Sequence, residues 1–171
     1  MFRTLFKINL FLFFIFFSAI SFADIIKNIN VNGNQRISKE SIIVFGNIKT
    51  NTNYSESDLN SVLKDLYQTN FFSEVKLDIK NNILNINVIE NPIIESLEIN
   101  GIKSKKLTEL LLEKIELKSR KSYIESIFVK DLNLIKNIIK SSGYYFAEIN
   151  TSALKNTELN SIKLIYDIDL G

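Results

Sequence analysis

The chain has 171 residues, with 21 basic and 19 acidic side chains, no histidine and no cysteine. Without those two residue types, a histidine-based triad or a cysteine nucleophile cannot form, and disulfides and thiolate metal sites are excluded. The charges are nearly balanced and interspersed, whereas binding of nucleic acid requires a concentrated positive face. We therefore expect a non-enzyme with no cofactor, no bound metal and no nucleic acid partner.

Residues 1–23 have the order of regions found in a secretory signal peptide. Arg3 and Lys7 give a basic start, an apolar run covers residues 8–20, and the small residues of Ser21-Phe22-Ala23 suit a signal peptidase. A membrane anchor is the alternative, but the run is shorter than the roughly 20 apolar residues of a membrane-spanning helix. We predict cleavage after Ala23. The mature chain then begins at Asp24 and carries 19 basic and 19 acidic side chains.

The first predicted elements are a strand over residues 25–31 and a short helix. Gly33-Asn34 is a turn pair, Ser38 is a suitable N-cap, and Gly46-Asn47 marks the end of the helix.

A second helix follows, because Ser55 and Asp58 have the spacing of a capping box. Apolar side chains then recur at helical intervals and predict one face packed on a core. They are Leu59, Val62, Leu63, Leu66 and Tyr67.

The stretch TNFFSEVKLDIKNNILNINVIENP, residues 69–92, predicts a β-hairpin. Apolar residues alternate with charged ones in its first strand, and the second strand alternates again and ends before Pro92. Asn81-Asn82 suits a two-residue turn between them, because asparagine tolerates positive φ.

Two short motifs of the first half recur in the second. INVNG at residues 29–33 recurs as LEING at residues 97–101, and NFFSEV at residues 70–75 recurs as YYFAEI at residues 144–149. The spacings are 68 and 74 residues, so the second copy contains a modest insertion. Its predicted strand, two helices and two strands repeat the order of the first copy. They cover residues 93–99, 107–115, 128–139, 147–151 and 162–170.

The repeat predicts an α+β protein of two tandem β-α-α-β-β domains, residues 24–91 and 92–171. Each domain is expected to form a three-stranded mixed sheet covered on one face by two helices, which is a stable two-layer arrangement. Asn91-Pro92 is a very short joint in which proline limits the backbone, so we expect a stiff tandem.

This order of elements, the Asn-Gly after each first strand, TNFFSEV before a hairpin ending in VIENP, and GYYFAEI in the second copy resemble POTRA modules. POTRA modules are the periplasmic parts of BamA-like outer-membrane protein assembly factors. The resemblance covers residues 25–171 and implies a periplasmic protein associated with the outer membrane. It also implies further modules and a C-terminal membrane barrel, both of which are absent from this chain.

The resemblance implies that the second strand of each sheet lies at an edge, where an edge strand offers unpaired backbone groups to an extended client chain. Charged side chains also protect edges, and protection of these edges by Lys76, Asp78 and Lys80 is the alternative interpretation. The second of the two strands is less charged, and this slightly favours it for client pairing. The candidate client-pairing residues are Val75, Lys76, Leu77, Asp78, Ile79 and Lys80 in the first copy, and Ala147, Glu148, Ile149, Asn150, Thr151, Ser152 and Ala153 in the second.

The aromatic landmarks Phe71-Phe72 and Tyr144-Tyr145-Phe146 have two interpretations. They could present a surface to an unfolded client, but aromatic residues at a helix-to-strand junction more often close a core, and we favour the core. We also place Tyr67 in the core, because it continues the helical apolar stripe.

The leading hypothesis is a POTRA pair that receives unfolded outer-membrane proteins by edge-strand pairing and contacts accessory assembly lipoproteins. A structural spacer without client contact is the first alternative. A POTRA protein of a related secretion system or of the division machinery is another. The predicted cleavable signal disfavours a division-machinery anchor, and tandem modules disfavour a single-module protein.

Overall fold

The computed structural model describes residues 25–171 of the chain. The predicted signal peptide and the cleavage site between Ala23 and Asp24 lie outside the described residues. The first module contains β1 (Ile25–Ile26), β2 (Asn28–Asn32), α1 (Lys39–Phe45), β3 (Thr52–Asn53), α2 (Glu56–Gln68), β4 (Phe72–Lys80) and β5 (Ile83–Glu90). The second module contains β6 (Ile93–Asn100), α3 (Lys105–Lys114), α4 (Glu125–Ser141), β7 (Glu148–Asn156) and β8 (Ser161–Asp169).

Each module has one three-stranded mixed sheet, in the order β2-β5-β4 in the first and β6-β8-β7 in the second. The last strand of each module is the central one. Strand β5 is parallel to β2 and antiparallel to β4, and β8 is parallel to β6 and antiparallel to β7. The predicted two-layer α+β fold and its duplication are therefore confirmed.

The predicted turn between β4 and β5 is confirmed by its backbone. Asn81 and Asn82 have φ of 51° and 62°. Both lie in the left-handed region that a two-residue hairpin of this kind requires.

The helices bury one face against one face of each sheet. In the first module Ile42 of α1 and Leu66 of α2 pack with Leu84 and Ile86 of the central strand, and all four are fully buried. In the second module Leu111 of α3 and Ile135 of α4 are likewise fully buried and pack with the core residues of β8. Helices α3 and α4 have 10 and 17 residues, against seven and 13 for α1 and α2. The insertion predicted from the motif spacing therefore lengthens the helices.

Both predicted N-caps of the first module are formed. The hydroxyl of Ser38 accepts a hydrogen bond from the amide of Ser41. Ser55 and Asp58 form the reciprocal capping box. Donation from the Ser55 hydroxyl, and secondarily from the Ser55 amide, lowers the pKa of Asp58 below its ordinary value.

Two features of the first module differ from the sequence predictions. The predicted first strand is divided into β1 and β2, and β1 pairs with β3 in a small antiparallel sheet that was not predicted. Tyr67 is 43% exposed, so its placement in the core was wrong. Its hydroxyl accepts a hydrogen bond from the amide of Val75 at 3.0 Å, which ties the helix end to β4 from outside the core.

The glycine of each Asn-Gly pair lies where the backbone closely approaches the neighbouring central strand. Gly33 and Gly101 have φ of +83° and +85°. A side chain on Gly33 would overlap the carbonyl oxygen of Val88, and one on Gly101 would overlap that of Ile168. Val88 belongs to β5 and Ile168 to β8, the central strands of the two sheets. The two glycines therefore occupy equivalent places in the two modules.

The joint between the modules is held by hydrogen bonds from both sides. Asn91 donates from its amide to the carbonyl of Phe71 at 2.8 Å. The amide of Tyr123 donates to the carbonyl of Pro92 at 2.7 Å. The side chain of Asn160 donates to the carbonyl of Glu90 at 3.1 Å. Residues far apart in sequence therefore fix the backbone on both sides of the short joint.

Candidate functional site: the outer edges of the two sheets

The strands that carry the candidate pairing residues lie at sheet edges, as the resemblance implied. In the first module the candidates Val75–Lys80 fall inside β4, which begins earlier, at Phe72. In the second module Glu148–Ala153 fall inside β7, which continues to Asn156, while Ala147 precedes the strand. The side of each edge strand that faces away from the central strand has no strand partner among residues 25–171.

The edge of β4 carries two features that protect edges. Its pairing with β5 is irregular between Phe72 and Glu74, where a β-bulge interrupts the register. Charged side chains then alternate along the strand, with ion pairs between Lys76 and Glu74 and between Lys80 and Asp78. Bulges and charges are devices by which proteins prevent unwanted strand addition.

The edge of β7 lacks these features. Its register with β8 is continuous over nine residue pairs, from Glu148 to Asn156. Every residue of the strand is exposed except Ile149, which is partly buried. Its only charged side chains are Glu148 and Lys155, near the two ends. The middle of the strand is therefore a flat, uncharged and solvent-accessible edge.

The opposite edges of the two sheets are shorter or partly covered. Strand β2 has only five residues. Strand β6 has a register irregularity between Ile94 and Ser96, and its beginning is bound by the loop between α3 and α4. The amide of Ile94 donates to Lys121, and the carbonyl of Ile94 accepts from Arg120. Among the four edges of the two three-stranded sheets, β7 is the most open to an additional strand.

The aromatic residues before β7 are exposed, so their placement in the core was wrong. Tyr144 is 37% exposed, Tyr145 69% and Phe146 89%. In the first module the corresponding prediction is correct for Phe72, which is 3% exposed, while Phe71 is partly buried. The spacing of the motif is the same in both copies, and it gave no signal that would distinguish these environments.

A groove of about 180 Å³ lies between the end of α4 and the start of β7. Ile139 and Ile149 contribute apolar surface to it, Lys136 and Lys140 contribute charge, and Tyr144 and Tyr145 form part of its wall. An extended chain added to β7 would place alternate side chains over this groove, because side chains alternate between the faces of a strand. The open edge and the groove together define the candidate site.

The described residues carry no group of three or more side chains suited to hold a metal ion. Asp167 lies on the face of β8 away from the helices and accepts a hydrogen bond from Asn100 at 2.9 Å. Within residues 25–171, none of the helices combines the length and the apolar character needed to cross a membrane. The arrangement offers main-chain hydrogen bonding and apolar contact.

Comparison with known proteins agrees with this architecture. The family described as POTRA, surface antigen variable number repeat, matches residues 25–91 and again residues 92–171. The outer membrane protein assembly factor BamA of Neorickettsia risticii is 28% identical over 134 residues, which cover 78% of this chain and 17% of that protein. BamA of Neisseria meningitidis serogroup B is 33% identical over 87 residues, which cover 50% of this chain and 11% of that protein.

A solved structure shares the fold. The N-terminal domain of Omp85 from Thermosynechococcus elongatus superposes with a TM-score of 0.53 at 11% identity, covering 86% of this chain and 63% of that one. At this identity the likeness concerns the fold alone.

The duplicated β-α-α-β-β unit, with its second strand at a sheet edge, defines a class of tandem two-layer α+β modules. The chain belongs to the POTRA family, which its two modules match in succession. Its matched stretch spans only about a sixth of the first relative and a smaller share of the second.

Proposed function

We propose that this chain is the N-terminal periplasmic POTRA region of an outer-membrane protein assembly factor, and that it acts by binding. It receives unfolded β-barrel proteins and scaffolds accessory lipoproteins for insertion into the outer membrane. The kinship with two BamA proteins supports this proposal. The small share of those relatives that the match covers supports a longer protein whose membrane barrel lies beyond this segment. Sequencing the gene past the codon for Gly171 tests that part directly.

The client pairs with β7. The single observation that carries this step is a regular nine-residue edge with an uncharged middle, whose outer side has no strand partner among residues 25–171. Main-chain hydrogen bonds make strand addition tolerant of sequence, which suits a receiver of many different barrel proteins. The charged and bulged edge of β4 is the weaker receiver, because its protective features disfavour added strands.

The test is an NMR titration of residues 24–171 with a peptide copied from a barrel strand. Amide shifts along Glu148–Asn156 are expected, with smaller changes along Phe72–Lys80. The control is the same peptide with every backbone amide N-methylated, which keeps the side chains but removes the donors on both edges. Equal shifts with both peptides, or shifts confined to loops, would contradict pairing.

A structural spacer is the second candidate, and the hydrogen-bonded joint favours it. Two neighbouring substitutions separate the candidates, Thr151→Pro and Ser152→Pro. Neighbouring residues of an edge strand direct their amides to opposite sides, so one of these prolines breaks the ladder with β8 and the other removes an outward donor. The variant that keeps the fold is expected to lose assembly activity in the full protein. Full activity in that variant would support the spacer.

A further inference from the structure

A second concave surface lies at the joint between the modules, away from β7. This joint groove has a volume of about 390 Å³ and is lined by both modules. The first module contributes Phe71 and Arg36, and the second contributes Ile93, Ile124 and the loop between α3 and α4. Loops and helix ends line it rather than a free strand edge, so strand addition does not explain it.

The charged side chains that line the joint groove are mostly basic. Its lining includes two arginines and two lysines but one acid, Glu116, which is paired with Lys130 at 2.9 Å. Arg36 is neutralised by Glu90 at 3.2 Å. Lys118 donates to the carbonyls that end α3. Arg120 and Lys121 form no ion pair with any described residue, so their charges remain uncompensated at the rim.

The backbone that carries these two charges is held in place. The amide of Arg120 donates to the carbonyl of Ile94 at 2.7 Å, and the carbonyl of Lys121 accepts from the amide of Ile94 at 2.8 Å. Arg120 has a φ of 66°, a conformation that a non-glycine residue adopts at a cost when its surroundings hold it there. The two cations are thus presented on a fixed loop beside the apolar side chains of Ile93 and Ile124.

We propose that the joint groove binds an acidic segment of a partner protein, with carboxylates on Arg120 and Lys121 and an apolar side chain against Phe71 and Ile93. Charge complementarity selects this occupant, because two uncompensated cations border an apolar floor. The occupant touches both modules, so its binding also restrains their relative motion. This site differs from the β7 edge in place and in chemistry, since it depends on side chains and β7 depends on the backbone.

The probe is a fluorescein-labelled peptide of eight residues that alternates glutamate with leucine and phenylalanine, measured by fluorescence anisotropy with residues 24–171. Every backbone amide of the peptide is N-methylated so that pairing with β7 through either edge is suppressed. The double variant Arg120→Asn with Lys121→Gln is expected to bind about tenfold more weakly. Asparagine suits the positive φ at residue 120, so the loop keeps its shape.

The matched control is Lys105→Gln with Lys106→Gln, which removes two exposed charges from the opposite end of α3. Binding to this variant is expected to remain within about twofold, and a peptide with lysine in place of glutamate is expected not to bind. A second readout is the NMR relaxation of the two modules, whose tumbling should become more alike when the acidic peptide saturates the site.

Three results would overturn the proposal. Equal weakening by the two double variants would mean a general charge effect. Amide shifts along β7 instead of residues 117–124 would assign the peptide to the client edge. Binding to vesicles of phosphatidylglycerol without binding to the peptide would make an anionic lipid headgroup the ligand. None of the three contradicts the β7 proposal, which has its own test in the titration with the barrel-strand peptide.

Discussion

At the scale of single residues, each module depends on one buried carboxylate. Glu90 is 4% exposed and accepts hydrogen bonds from the amides of Gln35, Arg36 and Ile37. Asp131 is 1% exposed and accepts from the amides of Glu116 and Leu117, both at 2.8 Å. Each carboxylate therefore fixes a loop, in the first module after β2 and in the second after α3.

We expect Glu90→Gln to destabilise the first module and Asp131→Asn to destabilise the second, each by about 2 kcal/mol. In Asp131→Asn the new NH₂ group cannot accept, so the amide of Glu116 or that of Leu117 loses its partner. In Glu90→Gln the remaining oxygen can keep the three loop amides, but the NH₂ group faces the Arg36 guanidinium and the partly buried ion pair is lost. Amide hydrogen exchange, assigned residue by residue, reports the two modules separately, and each variant serves as the control for the other. Equal loss of protection in both modules would show that they unfold as one unit.

At the scale of elements, the close approach of each central strand to a glycine explains the recurring Asn-Gly pair. We expect Gly101→Ala to cost more than about 3 kcal/mol, because it combines positive φ with overlap onto the Ile168 carbonyl. Gly143→Ala is the matched control, since Gly143 also has positive φ but has no neighbouring atom within 4 Å of an added side chain. It should cost about 1 kcal/mol. Hydrogen exchange of the second module measures the free-energy cost of both substitutions. Equal costs would show that the close approach to the Ile168 carbonyl is not the reason for glycine at residue 101.

The order of elements could be predicted from the sequence because local signals determine it. Helical spacing, the Ser55 cap and the Asn81-Asn82 turn act over a few residues. Exposure of an element end depends on what packs there, and this explains the errors at Tyr67 and at Tyr144–Phe146. The small sheet of β1 with β3 was missed for the same reason, since two-residue strands have no periodicity.

The candidate site was predicted in part. The resemblance placed β4 and β7 at edges, and the lower charge of the second strand already favoured it. The joint groove arises from contacts between residues distant in sequence. The groove beside β7 is lined by residues 136–149, and its shape depends on how the end of α4 packs beside the strand. No local pattern carries that information.

At the scale of the whole molecule, the joint is short, and the side chain of Asn160 in the second module helps to hold it. We expect Asn160→Gly to let the two modules move more independently, because it removes the bond to the Glu90 carbonyl while keeping the positive φ of 44°. Asn82→Gly is the control. Asn82 also has a positive φ, and its side chain also donates to a carbonyl, that of Ile25, but this hydrogen bond lies within one module. Relaxation of ¹⁵N nuclei measures the tumbling of each module. Unchanged tumbling in the Asn160 variant would place the stiffness in Pro92 and the backbone bonds.

The turns of this protein also bear on its unusual composition. The chain has only five glycines, yet seven non-glycine residues of the described part adopt positive φ, and six of them are asparagine. Asparagine enters this conformation at lower cost than other side chains, because its short polar group can hydrogen-bond locally. A change to asparagine at such a turn therefore costs this fold little, so a chain with few glycines can still form its left-handed turns. The six asparagines that serve this purpose are Asn47, Asn51, Asn70, Asn81, Asn82 and Asn160.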